Sequence, residues 1–156
     1  MTKVLITGVS SGIGLAQARL FLKNGCAVYG VDKSEAPDIQ EENFHFLQLD
    51  ITGNLAALFD VVPDVDILCN TAGILDAYKP LLAISDDEIA DVFQTNFFAT
   101  VAITRHYLAK MVERQAGIII NMCSIASFMA GGGGAAYTAS KHALAGFTRQ
   151  LALDYA

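Results

Sequence analysis

The sequence predicts an α/β fold built on a doubly wound parallel sheet. Five short apolar runs, at about 3–7, 27–31, 44–49, 66–70 and 117–123, are nearly continuous in hydrophobicity, as strands covered on both faces must be. Helical patterns alternate with them at about 13–24, 86–113 and 136–155, with a short one near 54–60. Strands joined through helices by right-handed crossovers fall in the order 3-2-1-4-5.

The first run, KVLI, leads directly into Thr7-Gly8-Val9-Ser10-Ser11-Gly12-Ile13-Gly14, and the helical pattern LAQARLFLKN follows until Gly25 ends it. A strand, a glycine turn and a helix amino terminus bring unpaired N–H groups and the positive end of a helix dipole to one place, which suits a pyrophosphate. In this reading Gly8 allows the tight turn, Gly12 the close approach of phosphates, and Gly14 the packing of helix on strand. The spacing is GxxxGxG, and glycine turns that bind nothing are common. The second strand ends at Asp32, eighteen residues after Gly14. That is near the ~20-residue offset at which an acid accepts from ribose hydroxyls and repels a 2′-phosphate, so Asp32 favours NAD over NADP. An ordinary loop acid opening the stretch KSEAPDIQEEN is the alternative.

The connection from Asp32 to Phe44 is short and acidic, contains Pro37, and predicts a loop in place of a crossover helix. Ser85-Asp86-Asp87-Glu88 is a capping box at the start of the helix 86–113. Ile89, Val92, Phe93, Phe97 and Val101 form one apolar face there, suited to the sheet, while Phe98 and Ala102 begin a second stripe. Gly131–Gly134 reads as a mobile loop.

Near the carboxyl end, Tyr137 and Lys141 stand four apart, so phenol and ammonium share one helix face. A free tyrosine has a pKa near ~10, and bringing it to about 7 needs roughly 4 kcal/mol of preferential phenolate stabilisation. A lysine one turn away supplies part of that. Ser124, closing the apolar run GIIINMCS, is placed to hold a substrate carbonyl. Taken alone, the pair also fits an amphipathic helix with a solvated lysine.

Taken together, these residues resemble the short-chain dehydrogenase/reductase family over all 156 residues. TGVSSGIG resembles its cofactor loop, placing Gly8, Ser10, Ser11, Gly12, Ile13 and Gly14 at the cofactor. Asp50 and Ile51, in LDIT, resemble the segment that meets the adenine. Asn70-Thr71-Ala72-Gly73 resembles the family's NNAG motif with threonine in second place. Asn96, Ser124, Tyr137 and Lys141 match its catalytic tetrad. The resemblance implies a Rossmann-like fold and hydride transfer between NAD(H) and a carbonyl or secondary alcohol. Tyr137 is then the acid/base, Lys141 a ligand of the nicotinamide ribose, and Asn96 the support of a water chain. Among the family, 3-oxoacyl-carrier-protein reductases look most similar. Family members continue past this helix, so the chain reads as one dinucleotide-binding domain, 1–156, lacking its later strands. The alternatives are a non-catalytic, redox-sensing nucleotide-binding protein or an inactive fragment. The resemblance also implies a homodimer or homotetramer formed through helices 86–113 and 136–155.

Composition narrows the partners. A net charge of −6 disfavours nucleic acid, and no apolar run reaches the ~18 residues needed to span a membrane. Cys26, Cys69 and Cys123 lack metal-ligand spacing and read as free thiols in a reducing cytoplasm. His45, His106 and His142 show no metal pattern.

Overall fold

The computed structural model describes residues 1–155. Its chain divides into two compact units, one formed by Met1–Ala72 with Ala102–Ile120, the other by Gly73–Val101 with the chain from Asn121 on.

The first unit holds a five-stranded parallel sheet. Its strands are β1 (Lys3–Thr7), β2 (Ala27–Asp32), β3 (Phe44–Gln48), β4 (Ile67–Asn70) and β5 (Ile118–Asn121), in the order β3-β2-β1-β4-β5. Register is tight: Thr7 stands opposite both Val31 and Asn70, and Asp32 opposite Gln48. Loops leaving β1, β2, β3 and β4 therefore start from one edge of the sheet. Alternation sends Val4 and Ile6 to one face, where they pack with Val28, Cys69 and with Ala18 and Leu22 of α1 (Gly12–Lys23). Leu5 and Leu68 are buried on the other face. No helix forms between Asp32 and Phe44, as the proline and the acidic composition anticipate.

Gly30, in the middle of β2, has a reason of its own. A Cβ there would meet the Val9 side chain at 2.6 Å and the Phe44 ring at 3.1 Å. The bare backbone lets Val9, fully buried, sink onto the strand and pin the turn that follows β1.

The short α2 (Ala56–Val61) lies against the later part of α4 (Ala99–Glu113). Tyr107 is fully buried and its hydroxyl donates to the Val62 carbonyl at 2.8 Å. Beside it, the His106 ring stacks on Phe59 at 3.7 Å between centroids.

In the second unit, the helix expected over 86–113 is not continuous. It runs as α3 (Asp86–Phe93), then a π-helical turn over Gln94–Phe98, then α4. The wider turn inserts extra backbone and shifts the register of the apolar positions beyond it. The capping box is present: Ser85 Oγ accepts from the Glu88 N–H at 3.2 Å and Glu88 Oε2 from the Ser85 N–H at 3.0 Å. Ile89 and Val92, expected on the sheet, instead form a cluster with Ile74, Ile84 and Ala136 of α5 (Ala135–Tyr155). Phe97 packs edge-on against Phe147 of α5, whereas Phe98 is half exposed.

Nε2 of His106 is buried without a hydrogen-bond partner among the described residues. Burial first, and the nearby Lys110 charge second, hold its pKa below that of a free imidazole. A histidine depressed on folding gives stability that is present above its unfolded pKa and lost as pH falls through its folded value. Thermal unfolding followed from about pH 7 to about pH 5 is therefore expected to show a falling midpoint. His106→Gln should flatten that fall, and an unchanged slope would assign it to another group.

Candidate active site

In the first unit the expected nucleotide-binding residues collect at the carboxyl edge of the sheet. Gly8 follows β1 with φ of +75°, and its N–H donates to the Val31 carbonyl at 2.8 Å. A Cβ on Gly8 would lie 2.8 Å from Ala72 Cα and 2.9 Å from Ala72 N, so glycine is required by space as well as by conformation. A Cβ on Gly14 would overlap the Gly8 carbonyl oxygen, which is how closely α1 approaches the turn. Gly12 differs: its φ is +52°, yet nothing lies within 4 Å of where its Cβ would be. Ser11, the N-cap of α1, makes no side-chain capping bond, and the first turn carries no acid. An open glycine and an uncapped, acid-free helix start are what a dinucleotide pyrophosphate needs. The cradle therefore fits that group. Ile13 is exposed on the same turn.

Asp32 closes β2 and is half-buried. Its Oδ2 accepts from the Ser10 N–H at 3.0 Å and its Oδ1 from the Ser34 N–H at 2.9 Å. Burial acts to raise its pKa, but these bonds outweigh it and hold the carboxyl below the usual range. Asp50 is exposed beyond β3, with Ile51 buried beside it. Its Oδ1 accepts from the N–H and hydroxyl of Thr52 at 2.9 and 2.7 Å, and those bonds lower its pKa. Past β4, the buried Thr7 hydroxyl accepts from the N–H groups of Thr71 and Ala72 at 3.1 and 3.2 Å. Asn70 Nδ2 donates to Thr104 Oγ1 at 3.0 Å. Thr71, where NNAG has asparagine, donates its hydroxyl to Gln17 Oε1 at 2.6 Å. Thr7 and Gln17 thus clip this segment to β1 and α1, a role that no spacing rule advertises.

In the second unit, Asn96 sits in the π turn and is fully buried. Its Oδ1 accepts from the Ile74 N–H at 2.8 Å, and its Nδ2 donates to the Ile74 carbonyl at 3.0 Å and to Ser140 Oγ at 3.1 Å. Lys141 is only 4% exposed, and its Nζ donates to the Met122 carbonyl at 2.7 Å. Burial pushes the Lys141 ammonium below its ordinary pKa, partly opposed by the Cys123 side chain. Nζ lies 5.8 Å from the centroid of the half-buried Tyr137 ring. A Cβ on Gly73 would lie 3.2 Å from Asn96 Oδ1 and 3.5 Å from Lys141 Nζ, so this glycine keeps a small space between them. Asn96, Gly73, Lys141 and Tyr137 thus gather in one place.

Ser124 caps a single 3-10 turn (Ile125–Ser127), with Oγ accepting from the Ala126 N–H at 3.1 Å. Of the Gly131–Gly134 stretch, expected to be a mobile loop, Gly131 is open with a φ of +90° while the other three are packed. A Cβ would meet Ala126 and Ile125 at Gly132, the Tyr137 ring at Gly133, and the Asp76 carboxylate at Gly134. Among the described residues no cluster of His, Cys, Asp or Glu is arranged to hold a metal ion, the three cysteines are free, and no helix is long and apolar enough to cross a membrane.

This chain belongs to the short-chain dehydrogenase family, whose family model, described as "short chain dehydrogenase", matches residues 2–156. Among curated proteins it is 38% identical over 158 residues to the short chain dehydrogenase ple7 of Rhodocybe pseudopiperita, covering 96% of this chain and 62% of that protein. It is 35% identical to the asnovolin H dehydrogenase nvfC of Aspergillus novofumigatus, again over 96% of this chain and 62% of the relative. A solved 4-hydroxyisoleucine dehydrogenase complexed with NADH superimposes with a TM-score of 0.90 at 32% identity, covering 99% of this chain and 68% of that one. The chain thus spans less than two thirds of the length of these curated relatives.

Gly8 and Gly12 separate the two demands made on the turn. Gly8→Ala, with left-handed φ and a clash on Ala72, should cost roughly 2–4 kcal/mol of unfolding free energy in urea. Gly12→Ala, left-handed but unobstructed, should cost only about 1 kcal/mol. Equal losses would mean that the Ala72 contact does not constrain the turn.

Proposed function

We propose that the protein is an NAD(H)-dependent oxidoreductase that interconverts a carbonyl and a secondary alcohol, with Tyr137 as acid/base. The observation that carries this reading is the burial of the Lys141 ammonium beside the Tyr137 ring. The Lys141 Nζ, held by the Met122 carbonyl at 2.7 Å, is thereby kept one helical turn from the phenol, where acid/base work on a substrate oxygen requires both groups together. Bound NADH supplies the hydride. In reduction Tyr137 gives its hydroxyl proton to the carbonyl oxygen, and in oxidation it takes the alcohol proton. Ser124 Oγ accepts from Ala126, which leaves its own hydroxyl proton to donate to the substrate oxygen. Both Nδ2 hydrogens of Asn96 are committed to Ile74 and Ser140. Its Oδ1 retains one lone pair for the water chain that the resemblance implies. Lys141 holds the nicotinamide ribose in this reading, and the glycine turn, Asp32, Asp50, Ile51, Asn70 and Ala72 hold the rest of the dinucleotide.

NADH in the superimposable dehydrogenase supports a nicotinamide cofactor, and Asp32 supports NAD over NADP. The substrate is a small carbonyl or alcohol compound, with 3-oxoacyl thioesters as the first class to assay. The half-exposed Phe98 supports a homo-oligomer through the helices 86–113 and 136–155. Free thiols suit a cytoplasmic setting.

Titration of both cofactors should give NAD(H) at least about tenfold tighter binding than NADP(H), a ratio that needs only ~1.4 kcal/mol. Asp32→Ala should narrow it, and equal affinities in the wild type would overturn the preference. Turnover by Tyr137→Phe should fall below detection while NADH affinity stays within about twofold, because one hydroxyl is lost and the pyrophosphate cradle is untouched. Appreciable turnover by that variant would give the proton to another group, and cofactor binding without wild-type turnover would favour the non-catalytic alternative.

A further inference from the structure

Helix α5 begins awkwardly for a helix that carries a reacting side chain in its first turn. Its N-cap position is Gly134, which has no side chain to accept from the N3 amide. Its N3 residue is Tyr137, whose side chain cannot reach back to the N-cap amide as a glutamate would. Both bonds of a capping box are nevertheless made, by one carboxylate from a distant loop. Asp76 Oδ1 accepts from the Gly134 N–H at 2.8 Å, and Asp76 Oδ2 from the Tyr137 N–H at 2.9 Å. Asp76 is 58 and 61 residues away from its two donors and is itself only 6% exposed.

The surrounding geometry is built around this contact. A Cβ on Gly134 would lie 2.5–2.7 Å from the Asp76 carboxylate atoms, so the N-cap is glycine because the carboxylate occupies that space. Ala77 and Tyr78, which follow Asp76, both hold left-handed φ values, of +53° and +58°. Such values cost non-glycine residues free energy and persist only where neighbouring contacts enforce them. Further tethers hold the loop. Asp76 Oδ1 also accepts from the Tyr78 N–H at 3.3 Å, and Lys79 pairs with Glu88 of the α3 capping box.

We propose that Asp76 is the positioning residue for Tyr137, acting as a capping box supplied in trans to α5. It fixes the first turn by its backbone and does not touch the phenol. The negative carboxylate also lies at the positive end of a 21-residue helix, where charge is stabilising. Three hydrogen bonds keep the acid ionised despite its burial, with a pKa below the usual carboxylate range.

This role rests on Tyr137 being the acid/base, and the test separates the two. Three variants of the purified protein are needed: Asp76→Ala, Gly134→Ser and the double substitution. Asp76→Ala should lower kcat about tenfold, as loss of a strong cap at a reacting residue allows, with NADH affinity within about twofold. Amide hydrogen exchange at Tyr137 should speed up in parallel. Gly134→Ser alone should also impair kcat, because its side chain meets the carboxylate. In the double variant that space is vacated and serine caps in cis, so kcat and exchange protection should exceed those of either single variant. If Asp76→Ala fails to fold, Asp76→Asn, which retains one acceptor oxygen, carries the same comparison. Unchanged exchange at Tyr137, faster exchange with unchanged kcat, or no recovery in the double variant would each overturn the proposal. A wild type without turnover would sink the acid/base reading instead, while exchange at Tyr137 and its recovery would still decide the cap.

Discussion

An asparagine side chain offers two donor hydrogens and a carbonyl oxygen, and Asn96 commits both hydrogens and one lone pair of its oxygen while fully buried. Two of its bonds take both backbone groups of Ile74, so the chain leaving Gly73 is held by a side chain where a strand neighbour would otherwise serve. The third reaches Ser140, one residue before Lys141 in α5. Each such bond contributes only about 1 kcal/mol net, but each group left unpaired in the interior would cost about 1–3 kcal/mol. The asymmetry makes Asn96 hard to replace. Asn96 also lies within the π turn at Gln94–Phe98, a helix irregularity of the kind that recurs at functional sites.

The first unit solves a similar problem by subtraction. Gly8, Gly14 and Gly30 each mark a place where a Cβ would overlap backbone or a neighbouring side chain. The short distances bring strand, turn and helix start together with their N–H groups converging. Thr7 then fastens Thr71 and Ala72 with one hydroxyl oxygen. Hydrophobic burial holds the sheet, but these few close approaches set the shape of its carboxyl edge.

Much of this was legible in the sequence. Runs such as KVLI and DILC announce buried parallel strands because both faces are covered, and Ser85 with Glu88 announces a helix start through local chemistry alone. Strand order followed from alternation and handedness, and the structure has that order. The glycine turn and the Tyr137–Lys141 spacing also identified segments that the structure gathers at the sheet edge and around Asn96. What escaped is non-local. The π turn leaves no mark in QTNFF, whose apolar spacing suits a continuous helix equally well. Ile89 and Val92 have the periodicity of a sheet-facing stripe, yet periodicity does not say which neighbour a stripe meets. The packing of Gly132, Gly133 and Gly134 also escaped, because flexibility and close packing call for the same residue. Asp76 is one acid in a loop, and its importance lies in two amides about sixty residues on.

Val9, sunk onto Gly30, has a consequence for the kinetics of recognition. A turn already fastened to the sheet does not need a ligand to organise it, so little ordering entropy is lost on association. In the proposed reading, encounter is then governed by diffusion and by the chain's negative charge, which slows a nucleotide more the more phosphate charge it carries. A cofactor bearing an added 2′-phosphate is in that reading disfavoured twice, arriving less often and leaving sooner.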